Sequence, residues 1–315
     1  MTARVPNLIL VGERRSGSTY FYHLLGSHPD VGMVASPDLD YFYPSSLSSM
    51  TPVATLDPPG DRAWDASHSP ADYAARFREV PPRRYLGHKG ANLLFWRPAH
   101  ERMRRFASDA KLIAVLRNPI DRAWSQYWNE VGKGREPLDF LAALEAEEER
   151  ASSWGWARLN VVYGKRGEYA ASLRALFEVF PRSEVHVIVL ERMRAQFDQE
   201  MRAVCDFLGI APQPTWPDAP RNPNWVLLPR PWVKRRGVRE VERLYARAVQ
   251  TATRYLVRDR YKGRTLSAAL QRPFRSPAVE QKITPAIRAV LARRFAASNT
   301  ELEELLGYPI PEWRA

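Results

Sequence analysis

Leu8-Ile9-Leu10-Val11-Gly12-Glu13-Arg14-Arg15-Ser16-Gly17-Ser18-Thr19 is the stretch that decides the fold. Leu8–Val11 is a continuous apolar run closed by Gly12, the pattern of a strand buried on both faces of a parallel sheet. The residues from Ser16 to Ser27 read as a loop passing into a helix, with Tyr20, Leu24 and Leu25 at helical spacing. A strand that turns through glycine into a helix points backbone N–H groups and the positive end of the helix dipole at one place, where a chain can wrap an anion. Gly17 allows close approach of the backbone. Ser18 and Thr19 add hydroxyls, and Arg15 adds charge. The spacing is that of the Walker A loop, G-x-x-x-x-G-K-[ST], with Ser18 in place of the lysine. The cation that reaches the β- and γ-phosphates in nucleoside triphosphatases is therefore missing, and a cation stands earlier, at Arg15.

Leu112–Tyr127, reading LIAVLRNPIDRAWSQY, repeats the design. Leu112–Leu116 is a buried strand ending at Arg117, and Pro119 suits the first turn of a helix that runs to about Val131. An arginine at the carboxyl end of such a strand projects into the crevice where open α/β sheets bind ligands. Ser125 lies two turns into the helix, so a bend at Asn118–Pro119 lets Arg117 and Ser125 converge on one phosphate. Val31–Val34 reads as a short strand and Val185–Leu190 as a strong one. Pro98–Phe106, Leu138–Arg150, Tyr169–Phe180, Arg192–Leu208, Val238–Val257 and Pro285–Leu306 read as helices, the acidic run 145–150 being a solvated face. Residues 36–70 and 211–231 read as loops. The alternation predicts an α/β class: a P-loop-like parallel sheet flanked by helices, one domain over residues 1–315 with a helical C-terminal part.

Composition narrows the partners. The 315 residues are 45% apolar and carry 47 Lys and Arg against 35 Asp and Glu, a formal charge of +12. That balance favours anionic ligands without choosing among them. The single cysteine, Cys205, excludes an intrachain disulfide framework and sits on an apolar helix face. The run LILVG is too short for a signal-peptide core or a membrane span, and no other stretch is apolar for about 18 residues. A cytoplasmic protein without an integral membrane segment is expected. A nucleic-acid or polyanion binder would cluster its basic residues on one face. Here RRSGS, PPRR and VKRRG are scattered, so no nucleic-acid partner is expected. A phosphoryl-transferring kinase would need the Walker lysine and a strand-end aspartate for magnesium. The third strand runs into Glu191 instead. No cluster of metal-ligating residues is visible. The oligomeric state is not legible.

Taken together, the two stretches resemble the sulfotransferases that use 3′-phosphoadenosine 5′-phosphosulfate (PAPS). Arg14–Thr19, RRSGST, resembles their 5′-phosphosulfate loop in the form found in tyrosylprotein and bacterial carbohydrate or lipid enzymes. Leu116–Tyr127 resembles their 3′-phosphate motif. His28–Val31, Gly167–Met193, Asp206–Ile210 and Thr300–Trp313 extend the likeness over most of the chain. The resemblance implies transfer of a sulfuryl group from PAPS, in line and without a metal, to a hydroxyl or amine of a small-molecule, glycan or lipid acceptor, leaving PAP. It assigns Arg15, Ser16, Gly17, Ser18 and Thr19 to the 5′-phosphosulfate, and Arg117 and Ser125 to the 3′-phosphate. Arg15 would also neutralise the bridging oxygen. It keeps its proton, so its help is electrostatic.

The family's base lies in a Lys-Glu-x-x-[Tyr/Phe]-Phe segment, which here reads Pro37-Asp38-Leu39-Asp40-Tyr41-Phe42. Asp38 takes the base position, with Asp40 and His88 as alternatives. Lys89 matches a lysine near the sulfuryl group, without the flanking residues usual there. A basic loop over the nucleotide corresponds to Lys262-Gly263-Arg264 or to Arg272–Lys282. Tyr41–Met50, Trp154–Tyr163 and Pro214–Pro231 are expected to shape the acceptor pocket. His28 reads as structural, holding the turn after the first helix.

Overall fold

The computed structural model describes residues 6–38, 41–42, 69–152, 156–217, 227–229, 236–256, 266–267, 269–271, 273–277 and 282–314. Five strands, β1 (Leu8–Gly12), β2 (Val31–Asp38), β3 (Tyr85–Gly90), β4 (Lys111–Leu116) and β5 (Val185–Val189), form one sheet in the order β2-β3-β1-β4-β5. Every neighbouring pair is parallel. The expected α/β architecture is therefore present. The helices of eight residues or more are α1 (Ser18–Leu25), α2 (Pro98–Phe106), α3 (Pro119–Gly132), α4 (Tyr169–Val179), α5 (Phe197–Leu208), α6 (Arg236–Leu256) and α7 (Pro285–Leu306).

Strand alternation divides the core. Ile9, Val11, Leu112, Ala114 and Leu116 share one cluster with Met103 of α2, Leu173 and Leu176 of α4 and Leu302 of α7. Leu8, Leu10, Ile113 and Val115 face Phe21 and Leu24 of α1 and Met201, Val204 and Cys205 of α5. Both faces are covered, which is why Leu8–Val11 of β1 and Leu112–Leu116 of β4 are apolar at every position. Each fully buried aliphatic side chain contributes about 1.5–3 kcal/mol.

Strand β3 was not foreseen. Its sequence, Tyr-Leu-Gly-His-Lys-Gly, has no apolar run, yet all six residues are buried between β2 and β1. Gly87 is needed there: a Cβ would meet Met33 Sδ at 2.8 Å and the Leu8 carbonyl at 3.0 Å. The helix expected over Leu138–Arg150 is broken into Phe140–Glu145 and Glu147–Ser152. Glu147 is buried rather than solvated, because its carboxylate accepts the backbone N–H groups of Tyr163 and Gly164. The helix expected over Arg192–Leu208 is interrupted at Gln196. Inside the expected loop 211–231, Leu227–Pro229 (β6) pairs antiparallel with Arg275–Pro277 (β7). His28 does hold the turn after α1: its Nε2 lies 2.8 Å from the Ala211 carbonyl and its Nδ1 accepts the Asp30 N–H at 3.1 Å.

The chain forms two compact units. One, residues 1–126, 140–222 and 284–315, contains the sheet; the other, residues 127–139 and 223–283, contains α6 and the β6–β7 ribbon. In the second unit the Tyr245 hydroxyl donates to the Leu270 carbonyl at 3.0 Å. That unit holds 17 of the 47 Lys and Arg and 7 of the 35 Asp and Glu. The sheet-bearing unit is left with 30 against 28. The sheet-bearing unit's own formal charge is therefore close to neutral, and it supplies little bulk charge of its own to an anion.

His186 on β5 gives the fold a sensitivity to acid. Its ring stacks on Phe207 of α5, centroids 5.3 Å apart. Burial, with help from Arg182, lowers the imidazole to about 4. The unfolded chain takes up that proton first, near pH 6.5, so stability is lost as pH falls from there towards about 4. The urea midpoint of the parent is expected to drop further between pH 7 and pH 4.5 than that of His186→Phe. Equal drops would assign the acid sensitivity to other groups.

Candidate active site

The site is built where β1 hands over to α1. Arg15 has φ 67° and Gly17 has φ 90°. Left-handed residues flank Ser16, whose N–H is donated to the Glu13 carbonyl at 3.3 Å; a turn of this kind leaves the N–H groups that follow it available to an anion. Helix α1 starts at Ser18, and its first bond back is Phe21 N–H to the Gly17 carbonyl at 3.2 Å. The N–H groups of its first turn have no acceptor within the helix. No acidic residue lies in that turn, so the positive end of the dipole is not neutralised locally. A side chain at Gly17 would meet Leu190 Cδ1 at 2.9 Å, which leaves glycine as the residue that fits.

Arginine in this conformation costs about 1–2 kcal/mol, so other contacts must hold it. Arg117 donates from Nη1 to the Arg15 carbonyl at 3.1 Å, and Arg15 donates from Nε to Ser125 Oγ at 2.9 Å. The two motifs read separately from sequence are thus joined: Arg15, Arg117 and Ser125 meet at one place. Arg117 Nε is buried without a hydrogen-bond partner among the described residues. Burial holds the Arg117 guanidinium below its ordinary value, Asp121 and Glu191 pulling the other way. A half-buried cation with an unused donor beside a ring of inward N–H groups suits a phosphate or sulfate group.

Three elements fix the turn that carries Arg117. Glu191 accepts the Asn118 N–H at 3.0 Å and the Trp313 indole N–H at 3.0 Å. The Tyr169 hydroxyl donates to the Arg117 carbonyl at 2.8 Å, and burial pushes that phenol up, so it stays a donor. Asn118 Oδ1 accepts the Ile120 N–H at 3.0 Å, which starts α3 and sets the register of Ser125.

The other side of the site is the end of β3. Lys89 is 2% exposed and lies in register with Leu10 of β1 and Asp38 of β2. Asp38 is the last residue of β2, beyond a register shift after Met33. His88 belongs to an aromatic cluster, 5.8 Å from Phe42 and 5.6 Å from Tyr73 between centroids. Asp40, Trp154 and Lys262–Arg264 lie outside the described residues, as do all of 43–50, all of 218–226 and parts of 272–282.

One feature was missed in the sequence. Glu13, inside the loop, is 1% exposed and pairs with fully buried Arg166. Arg166 donates from Nε to Glu13 Oε2 at 2.8 Å, from Nη1 to the Leu159 carbonyl at 2.9 Å and from Nη2 to the Ala91 carbonyl at 3.1 Å. Burial lowers Arg166 to about 10 and raises Glu13 against the pull of its partner. The available signal was an acid within an anion-binding loop, which requires a compensating cation.

The family described as "Sulfotransferase domain" matches residues 5–219. Mouse heparan sulfate glucosamine 3-O-sulfotransferase 3B1 is 25% identical over 213 residues, 66% of this chain and 47% of that protein. Mouse bifunctional heparan sulfate N-deacetylase/N-sulfotransferase 1 is 24% identical over 213 residues, 66% of this chain and 22% of that protein. The chain thus matches less than half the length of these curated relatives. A solved sulfotransferase from Alicyclobacillus acidocaldarius shares the fold over 99% of this chain and 100% of its own, with TM-score 0.67 and 24% identity.

Gly17→Ala tests the loop. A side chain forced to positive φ and against Leu190 is expected to lower stability by about 1–3 kcal/mol in urea unfolding. A parent-like midpoint would mean that the loop relaxes at little cost.

Proposed function

We propose that this chain, which belongs to the sulfotransferase domain family, moves a sulfuryl group from PAPS to a hydroxyl or amine of an acceptor and releases PAP. The observation that carries the reading is the joining of the two anion-binding motifs through Arg15, Arg117 and Ser125. A nucleotide with anions at both its 5′ and 3′ ends fits two such motifs at one place; ATP, with a single polyphosphate, does not use the second.

The co-substrate supplies the activated sulfuryl group, and the remaining tasks fall to side chains and backbone. The Ser16 hydroxyl and the N–H groups of Gly17, Ser18 and Thr19 at the start of α1 hold the 5′-phosphosulfate. Arg117 and Ser125 hold the 3′-phosphate. Asp38 takes the proton of the attacking hydroxyl or amine. As the acceptor atom bonds to sulfur, the sulfur–oxygen bond to the phosphate breaks in line, and negative charge grows on the bridging and sulfuryl oxygens. Arg15 and Lys89 are preplaced to meet that charge, which is the usual large term in such transfers. Positive side chains do this work in the proposed mechanism, and no metal is assigned a part.

For the acceptor, the names of the relatives support a sugar hydroxyl or amine; a lipid or natural-product hydroxyl belongs to the same reaction class. No nucleic-acid partner is proposed, and the proposed compartment is the cytoplasm. No described helix is long and apolar enough to cross a membrane.

Calorimetry with PAP, ADP and ATP in the absence of magnesium tests the donor site. PAP is expected to bind at least about tenfold more tightly than ADP, a difference of about 1.4 kcal/mol. Arg117→Ala is expected to erase that preference. Tighter binding of ATP than of PAP, or no nucleotide binding, would sink the reading. Once a screen with PAPS has found an acceptor, Asp38→Asn is expected to lower kcat by about 10²–10⁴ with PAP affinity unchanged. Full activity in that variant would move the base elsewhere.

A further inference from the structure

We propose that Arg166 is a positioning residue for the transfer: with Glu13 it ties the phosphate loop to the end of β3 and so sets the separation of Arg15 from Lys89. The inference rests on the sulfotransferase reading above.

The placement is specific. Glu13 stands two residues before Arg15, and Ala91 stands two residues after Lys89. Arg166 reaches both at once, Glu13 Oε2 through Nε and Nη2 at 2.8 and 2.7 Å, and the Ala91 carbonyl through Nη2 at 3.1 Å. Its Nη1 is spent on the Leu159 carbonyl at 2.9 Å, and its flat face lies 4.7 Å from the Phe95 ring centroid. A planar guanidinium with its donors committed in several directions has little freedom to shift. Two further ties run alongside. Arg14 Nε donates to Asn92 Oδ1 at 3.1 Å, and the Leu94 N–H approaches the Gly12 carbonyl at 3.4 Å. Residues 12, 13 and 14 are each joined to the segment that follows β3.

Energetics favour a geometric role over a stabilising one. Taking both charges out of water is expensive, and an apolar pair of similar volume is often as stable or more so. An acid beneath an anion-binding loop also opposes the incoming negative charge unless its partner cancels it. What the pair provides and an apolar pair cannot is direction: Glu13 is drawn away from the concavity, and the loop is held at a fixed distance from the strand that bears Lys89. Misplacement of a reacting group by about 1 Å can cost about 100-fold in rate.

The test compares the parent, Arg166→Lys and the double variant Glu13→Val/Arg166→Leu, which removes both charges together. Three quantities are read: the thermal midpoint, the PAP dissociation constant, and the release of PAP from saturating PAPS with water as acceptor. In that last reaction a water oxygen bonds to sulfur, the sulfur–oxygen bond to the phosphate breaks, and PAP, sulfate and a proton leave. The double variant is expected to melt near the parent and to bind PAP within about fivefold, yet to turn over about 100-fold more slowly. Arg166→Lys keeps the charge but not the fork. It is expected to fold and to recover only part of the rate. Parent-like turnover in a folded double variant, or in folded Arg166→Lys if the double variant does not fold, overturns the proposal. Failure of the parent itself to bind PAP would instead bring down the sulfotransferase reading.

Discussion

A non-glycine residue at φ 67° stands at the centre of the site, and most of the surrounding order serves to keep it there. Arg15 turns the loop so that N–H groups face inward. Its own backbone disfavours that state, and two hydrogen bonds from the second motif hold it, one to its carbonyl and one from its side chain. The second motif is held in turn. Glu191 and Tyr169 fix the Arg117–Asn118 turn, and Trp313 near the end of the chain fixes Glu191. The strained residue is thus the visible end of a chain of contacts that runs from β1 through α3, α4 and β5 to residue 313. Strain of this kind persists only where surrounding structure over-determines it.

The sheet-bearing unit has nearly as many acids as bases, so its own net charge contributes little to its anion site. It uses direction instead: inward N–H groups, one helix N-terminus, and arginines whose donors are aimed by other contacts. Burial makes each of these stronger and also dangerous, since an unmatched buried charge is expensive. Glu13 and Arg166 show the cost being met pairwise. Glu147 shows another solution, a buried acid satisfied by backbone N–H groups and by Arg294 at 2.7 Å.

The strands β1, β4 and β5 were legible because a strand covered on both faces is mostly apolar, and each carries such a run, broken only by Lys111 at the start of β4 and His186 in β5. The loop and Arg117 were legible because glycine, hydroxyls and arginine at a strand end have few other uses. Strand β3 was hidden for the converse reason. Its buried polar residues break the apolar run that marks a central strand, and His88 is accommodated by an aromatic cluster drawn from residues 42, 73 and 77 that are distant in sequence. The break at Ala146 was hidden because Glu147 looks like its exposed neighbours until Tyr163 and Gly164 are brought to it. Sequence patterns report local burial; they do not report which distant backbone group will satisfy an acid.

That difference explains where the polar groups of this fold are concentrated. The middles of the parallel strands β1 and β4 are apolar, pairing with neighbouring strands and packing against apolar helix faces. At their carboxyl ends the ladder stops, backbone groups need new partners, and helices begin with unsatisfied N–H groups. Glu13, Lys89, Arg117 and Glu191 all stand at or just past such ends. Glu13 and Lys89 are buried there and Arg117 and Glu191 half-buried, where the end of the ladder leaves backbone groups to serve as partners. The same unfinished hydrogen bonding that permits these charges makes this edge of the sheet the place where an anion can be held, so the burial of the ionic pair beneath the loop and the capacity of the loop to bind have one physical origin.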